Sequence, residues 1–450
     1  MKRIVASVGL VALGASGVQA ASPSPFDSEA PKPWSLSAKL RGFYDDNFQT
    51  LPDGPTPAGT HRDTFGFEVS PSLTIKWPLE QTTISLSYTY GLMYYEHKPS
   101  GNEENYDQTH TFKASLDHNF NERYSVSLTD SFVIGQEPDV LRSGNSFATF
   151  QRISGDNIRN YGSITFNAQL TKQLGFEVGY ANSLYDYTDS AYSLNHATTG
   201  PVTVTKVSPS NSGLLDRLEH TFHLDARWQI RPQTIGILGY QYGFVGYDAD
   251  QLIGGSVTNT PAGQTGQFYK SNVRDNSSHY GYLGVDHTFR ADWSGSLRAG
   301  ARYNEYFNDP YNQNEPSPYV NASTKYTYMA GSYAELGATY DRSATDLFSD
   351  VPGQSLTTDA QTLSAWLSLH QRITPRLTGT LTFQFQNSTY NGGTYNSQTD
   401  RFYLLGLNFE YRFNPHLSAE LGYSYDLLDS QIINRGFDRN RVYAGITASY

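Results

Sequence analysis

The chain contains no cysteine, so neither a disulfide nor a thiolate metal site is available to it. Beyond its first twenty residues it has no long apolar run, and nothing approaches the ~20 apolar residues a spanning helix needs. Basic residues are in deficit: 32 Lys and Arg stand against 43 Asp and Glu, a formal net charge of −11. Affinity for nucleic acid comes from Lys and Arg neutralising phosphates, so nucleic acid is excluded as a partner. Two catalytic signatures are missing as well, a GxSxG elbow and an HExxH zinc helix. Mean hydropathy is low at −0.52, but aromatics make up 14% of the chain and 34 of them are Tyr. Disordered chains are poor in aromatics, so disorder is excluded too.

What is present begins with an address. Lys2 and Arg3 precede an apolar run over 4–13, and Val18-Gln19-Ala20 fits a small-x-small cleavage site. Residues 1–20 therefore read as a cleaved export signal rather than an anchor. Loss of Lys2 and Arg3 leaves −13 on the mature chain. A Pro- and Ser-rich leader spans 21–33, and no linker divides the remaining 34–450.

Over 65–77 the chain alternates without a fault. Phe65, Phe67, Val69, Pro71, Leu73, Ile75 and Trp77 form one row; Gly66, Glu68, Ser70, Ser72, Thr74 and Lys76 form the other. Successive side chains of a strand point to opposite faces, so one face is apolar and the other polar and charged. The pattern returns along the chain, as in 377–386, 403–413 and 417–426. Strands of roughly ten alternating residues, repeated, are the mark of a transmembrane β-barrel with lipid outside and water inside.

Eight short turns punctuate these strands, centred on 78–80, 121–123, 172–173, 231–233, 290–292, 330–332, 374–376 and 414–416. Nine longer polar segments alternate with them, the two longest near 186–216 and 248–276. Short turns at one end and long loops at the other are the asymmetry of bacterial outer-membrane barrels, whose short turns face the periplasm. The count is eighteen strands, with the first (34–48) pairing with the last (438–450). The faces blur at 235–245 and 319–328, which leaves sixteen open. Trp77, Phe120, Tyr124, Trp228, Phe289, Trp293 and Phe413 lie beside the short turns and Tyr450 ends the sequence. Rings so placed form the aromatic girdle of such barrels.

Three segments carry a closer likeness: Phe43-Tyr44-Asp45-Asp46-Asn47, Asp117-His118-Asn119-Phe120 and Asp438-Arg439-Asn440-Arg441-Val442-Tyr443. With them the chain resembles the uncharacterised family of outer-membrane β-barrel porins. The terminal aromatic is similar to the C-terminal segment that the barrel-assembly machinery reads, where Phe is usual and Tyr450 departs from it. The resemblance implies a pore in the outer membrane of a Gram-negative cell, with some members near polysaccharide-export genes, and names no solute.

No constellation for catalysis is visible. Asp117-His118 and Asp286-His287 are neighbours on strands and so face opposite ways; His220 and His223, three apart, fail likewise. The chain is read as not an enzyme and as needing no cofactor. Asp45, Asp46 and Asn47 could offer oxygens to Ca²⁺, but the chelating spacing is incomplete and a solvated loop edge is the better reading. Candidate pore-lining residues on the polar row are Lys39, Arg41, Glu68, Lys76, Glu410, Arg412, Glu420 and Arg441. These set ion preference or, equally, pair with one another across the closure. The third external loop, 135–157, either folds inward or lies over the mouth. The function expected is passive diffusion of small hydrophilic solutes. The alternative is a non-conducting barrel that anchors or partners an exopolysaccharide-export or surface-assembly system. Partners expected are outer-membrane lipid and lipopolysaccharide, the assembly machinery, the solutes, and copies of the same chain.

Overall fold

The computed structural model describes residues 32–54, 61–98, 104–135, 149–150, 157–188, 192–248 and 251–450. The export signal and all but the end of the leader lie outside the described residues.

One antiparallel sheet of eighteen strands dominates. In chain order they are Trp34–Asp45, Thr64–Pro78, Thr82–Tyr95, Tyr106–Asn119, Tyr124–Gly135, Asn157–Gln169, Leu174–Tyr187, Arg217–Arg231 and Thr234–Tyr247. The second half runs Asn276–Arg290, Trp293–Tyr306, Pro316–Met329, Ser332–Ser343, Asp359–Arg372, Leu377–Asn391, Thr399–Asn414, Leu417–Ser430 and Phe437–Ser449. Each pairs with its successor, and the first pairs with the last from Ser37↔Ser449 to Asp45↔Arg441, so the sheet closes into a barrel. The ninth and twelfth strands, where the sequence pattern blurred, are both present, and eighteen is the count. The first strand ends at Asp45 rather than at 48, because side chains capture the backbone there. Asn47 N–H donates to Asp45 Oδ1 at 3.1 Å, and Asn47 Oδ1 accepts from Leu51 N–H at 2.9 Å.

The apolar rows face outward: Phe65 is 59% and Leu421 56% exposed, while Glu68, Arg41 and Glu420 on the alternate row are sheltered inside. The eight short turns all lie at one end. Small side chains tie them. Asn121 Oδ1 accepts from the N–H of Arg123 and Tyr124 at 2.8 and 3.1 Å, and Thr374 Oγ1 accepts from Arg376 and Leu377 at 3.2 and 3.0 Å. Trp77, Phe120, Trp228, Phe289, Trp293, Phe413 and Tyr450 are exposed around this end.

At the other end the loops carry structure that the sequence reading missed. Hairpins Ser193–Thr199/Val202–Ser208 and Leu252–Thr260/Gly263–Lys270 pair through Ser256–Asn259 with 203–206, making a four-stranded sheet above the barrel. Gly200, at φ +59°, makes the first hairpin's turn. Beneath that sheet four loops share one apolar cluster of Ile253, Tyr269, Val273 and Leu356, with Leu214, Tyr311 and Phe348 packed against it. Arg274 is wholly buried there and donates to the carbonyls of Thr345 (2.7 Å) and Leu214 (3.0 Å). Four strands that run toward this end finish in a buried tyrosine, Tyr95, Tyr187, Tyr247 and Tyr306, and a fifth carries buried Tyr390 one residue before its end.

Candidate functional site

On the inner wall of the barrel polar side chains converge from many strands. Alternation puts every second residue there, and register decides which of them meet. Around the closing seam, Arg41 lies between two carboxylates. Its Nε donates to Glu420 Oε1 at 2.9 Å and its NH1 to Glu68 Oε2 at 3.0 Å, while its guanidinium sits 4.1 Å from the centre of the Tyr443 ring. Asn408 completes the group, donating to Glu420 Oε2 at 3.3 Å and to the Tyr443 hydroxyl at 3.0 Å. Lys39 is 4.0 Å from Glu420, Arg412 is 3.6 Å from Glu410, and Arg441 is 3.5 Å from Asp426. Lys76 is exposed near the turn end of the second strand. All eight residues singled out from the sequence therefore lie on the inner row, and the central ones engage each other.

A second ionic network, unread in the sequence, occupies the opposite wall. Arg227 bridges Glu177 (3.3 Å) and Asp286 (2.9 Å), and Arg298 reaches the other oxygen of Asp286 at 2.7 Å. His223 stands 3.5 Å from Glu177, and the Tyr282 hydroxyl donates to Asp225 at 2.6 Å. Nearer the loops, Arg302 pairs with Asp341 at 3.0 Å and Arg342 with Asp359 at 3.1 Å. The partners sit on different strands and lie up to 59 residues apart, so only the register of the folded sheet brings them together. The signal was in the alternation of Arg217, Glu219, Thr221, His223, Asp225 and Arg227 on one row.

On the strands of the seam network, nearer their loop ends, the inner surface carries an apolar patch of Phe402, Leu404, Leu428 and Phe437. Phe150, from the third external loop, is buried against it and stacks on Phe402 with ring centres 4.8 Å apart. The loop joins the fifth and sixth strands, and Phe402 is on the sixteenth, so Phe150 has crossed the barrel. Most of the rest of that loop lies outside the described residues.

The Asp45-Asp46-Asn47 segment is a clasp. Asp45 accepts from Arg439 Nε and NH2 at 2.8 and 2.6 Å, and Asp46 accepts from the Asn440 N–H and amide at 2.6 and 2.7 Å. The Asn47 amide donates to the Asp438 carbonyl at 2.9 Å. Two of the three segments singled out in the sequence thus hold each other across the seam. The third separates as strand geometry requires. Asp117 accepts from Ser127 inside, whereas His118 bonds Thr82 on the outer face. Among the described residues no group of three or more His, Asp or Glu is placed to hold a metal ion.

Residues 360–450 match the family described as "Putative beta-barrel porin 2". Solved structures of similar fold include OpdK of Pseudomonas aeruginosa, determined with vanillate, at 12% identity over 93% of this chain and 99% of that one, TM-score 0.42. OccAB4 of Acinetobacter baumannii is 13% identical over 93% and 98% of the two chains, TM-score 0.42. The siderophore receptor PirA of Pseudomonas aeruginosa follows at 12% over 92% and 80%, TM-score 0.35. No curated protein matches the chain. The eighteen-stranded closure, the outward apolar rows and the family match over residues 360–450 together make this a porin-like outer-membrane β-barrel.

Proposed function

We propose that this barrel is a channel for passive diffusion of small hydrophilic solutes, working without cofactor or energy coupling. The observation that carries the reading is the exposure of charge on the inner row. Lys39 is 33%, Arg412 36% and Glu410 38% exposed, although all three face the interior. Charges so exposed need water beside them, and an eighteen-stranded barrel has room for a water-filled path. In this reading Lys39, Glu410, Arg412 and Lys76 meet the solute, while Arg41, Glu68, Glu420 and Arg441 fix the wall by pairing. The mixture of signs gives weak ion preference rather than a filter of one charge. Residues 1–20 are the export signal, 21–33 a periplasmic leader and 34–450 the barrel, assembled by the barrel-assembly machinery into a membrane faced by lipopolysaccharide.

The second reading is a non-conducting anchor or export partner, and the apolar cluster shared by four external loops favours it. Such a cluster can close the mouth. Single-channel recording of the refolded mature chain in a planar bilayer separates the two. Ohmic steps in KCl, with block by a size series of sugars, are expected. A correctly folded but silent barrel overturns the channel, and copurification with periplasmic machinery then supports the export role.

A further inference from the structure

The outward rows are mostly apolar, interrupted toward mid-height by His110, by His279 and by a larger polar group around Asp130. Asp130 on the fifth strand belongs to the outward row with Leu128 and Phe132, and it accepts from the Asn160 amide at 3.0 and 3.2 Å. Asn160 in turn accepts from Asn182 at 3.3 Å. In register, Asp130 faces Gly162, Gly162 faces Asn182, and Asn182 faces His220, which bonds the Tyr180 hydroxyl at 2.8 Å. A polar row thus runs across four adjacent strands of the membrane face. Asp130 lies six residues above the turn end of its strand, roughly 15 Å up a tilted barrel wall. The apolar band of such barrels is ~25 Å tall, so the carboxyl sits inside it rather than at its edge.

We propose that this face of the fifth to eighth strands docks a second copy of the chain within the membrane. Polar groups at membrane depth hold partners, and hydrogen bonds between side chains of neighbouring subunits are one of the forces that join proteins there. The row is chemically self-complementary. Asp130 accepts, the Asn160 and Asn182 amides both donate and accept, and the His220 ring offers a second nitrogen once Tyr180 holds the first. Gly162 lets the Asn182 and Asp130 side chains close over the centre of the row: a Cβ there would stand 2.5 Å from the Asn182 side-chain oxygen and 3.4 Å from Asp130 Oδ1. Beside Asp130 a groove of about 270 Å³ is lined mainly by Leu73, Leu86, Tyr88, Phe112 and Ala114, with Ser87 and Lys113 also at its wall. That suits the outward side chains of another barrel and not a hydrated peptide.

Because the chain has no cysteine, single nitroxide labels can be placed without further change. Ile164→Cys and Val178→Cys flank the row, and Leu407→Cys on the sixteenth strand is the control across the barrel. Oxygen accessibility is read by power saturation in bilayers of synthetic phosphatidylcholine, where only the same chain is present. We expect the labels at 164 and 178 to be several-fold less accessible than the label at 407. That masking should be lost on dilution into excess lipid and in an Asp130→Leu/Asn182→Leu background. Asp130→Asn serves if the leucine variant fails to fold, with partial loss expected. Equal accessibility at all three sites overturns the proposal. So does masking seen only in native outer membranes, which would assign the face to another occupant. Conductance is a separate readout, so a monomer that conducts leaves the channel reading intact.

Discussion

At the scale of single residues, the seam is where one side chain matters most. Arg439 and Asp45 are both buried, and their hydrogen bonds join the first and last strands. Removing one member of such a buried pair leaves the other's charge poorly compensated, a loss of roughly 3–5 kcal/mol. Arg439→Ala is therefore expected to lower the urea midpoint of the folded barrel in detergent by that much, and Arg439→Lys to recover only part of it. Asp216 gives a second expectation. Burial, aided by the nearby Asp186 and Asp248, pushes its carboxyl up to about 6, against hydrogen bonds from Ser212 and the Tyr187 N–H. A carboxyl raised in the folded state adds stability that is full below its unfolded value near ~4 and is lost as pH climbs through 6. Amides of the Asn211–Leu215 helix should exchange more slowly at pH 5 than at pH 7.5, after correction for intrinsic rates, and Asp216→Asn should abolish the difference. The seam residues were visible as two short segments nearly four hundred residues apart. Their mutual contact was not, because nothing local to either segment encodes it.

Strands and loops were legible to different degrees, for a physical reason. A strand with lipid on one side and water on the other must alternate, so Phe65 to Trp77 declares both its conformation and its orientation. Leu421→Arg places a charge on the lipid face and is expected to cost about 2–4 kcal/mol if it sits near mid-membrane. Ser115→Arg, on the inner row between Ser85 and Thr129, should leave the urea midpoint nearly unchanged. The external hairpins have no such constraint, since their sheet is not part of the barrel wall. Val202, Val204 and the threonines between them did carry a β-branched signal, but it was embedded among Gly, Asn and Pro and read as loop. The inner network of Arg227, Asp286 and Arg298 escaped for a further reason: alternation says that a charge faces inward, and only the register says which charge it meets.

For the whole molecule, the question is how far the interior stays open. Phe150 reaches across from the third loop to Phe402 and occupies space on the way. Phe150→Ala should raise single-channel conductance and admit larger sugars, and unchanged steps would show that the constriction lies elsewhere. The loop's sequence position hinted at an inward path, while its landing place on the sixteenth strand could be found only in three dimensions. The clasp between Asp45 and Arg439 also bears on time as well as on stability. One partner stands on the first strand and the other on the last, so this contact waits until the two edges of the sheet meet. Bringing together strands separated by so long a stretch of chain carries a large closure entropy. Interactions absent until that late step slow unfolding without hastening assembly, so the clasp acts as a latch on the lifetime of the finished barrel.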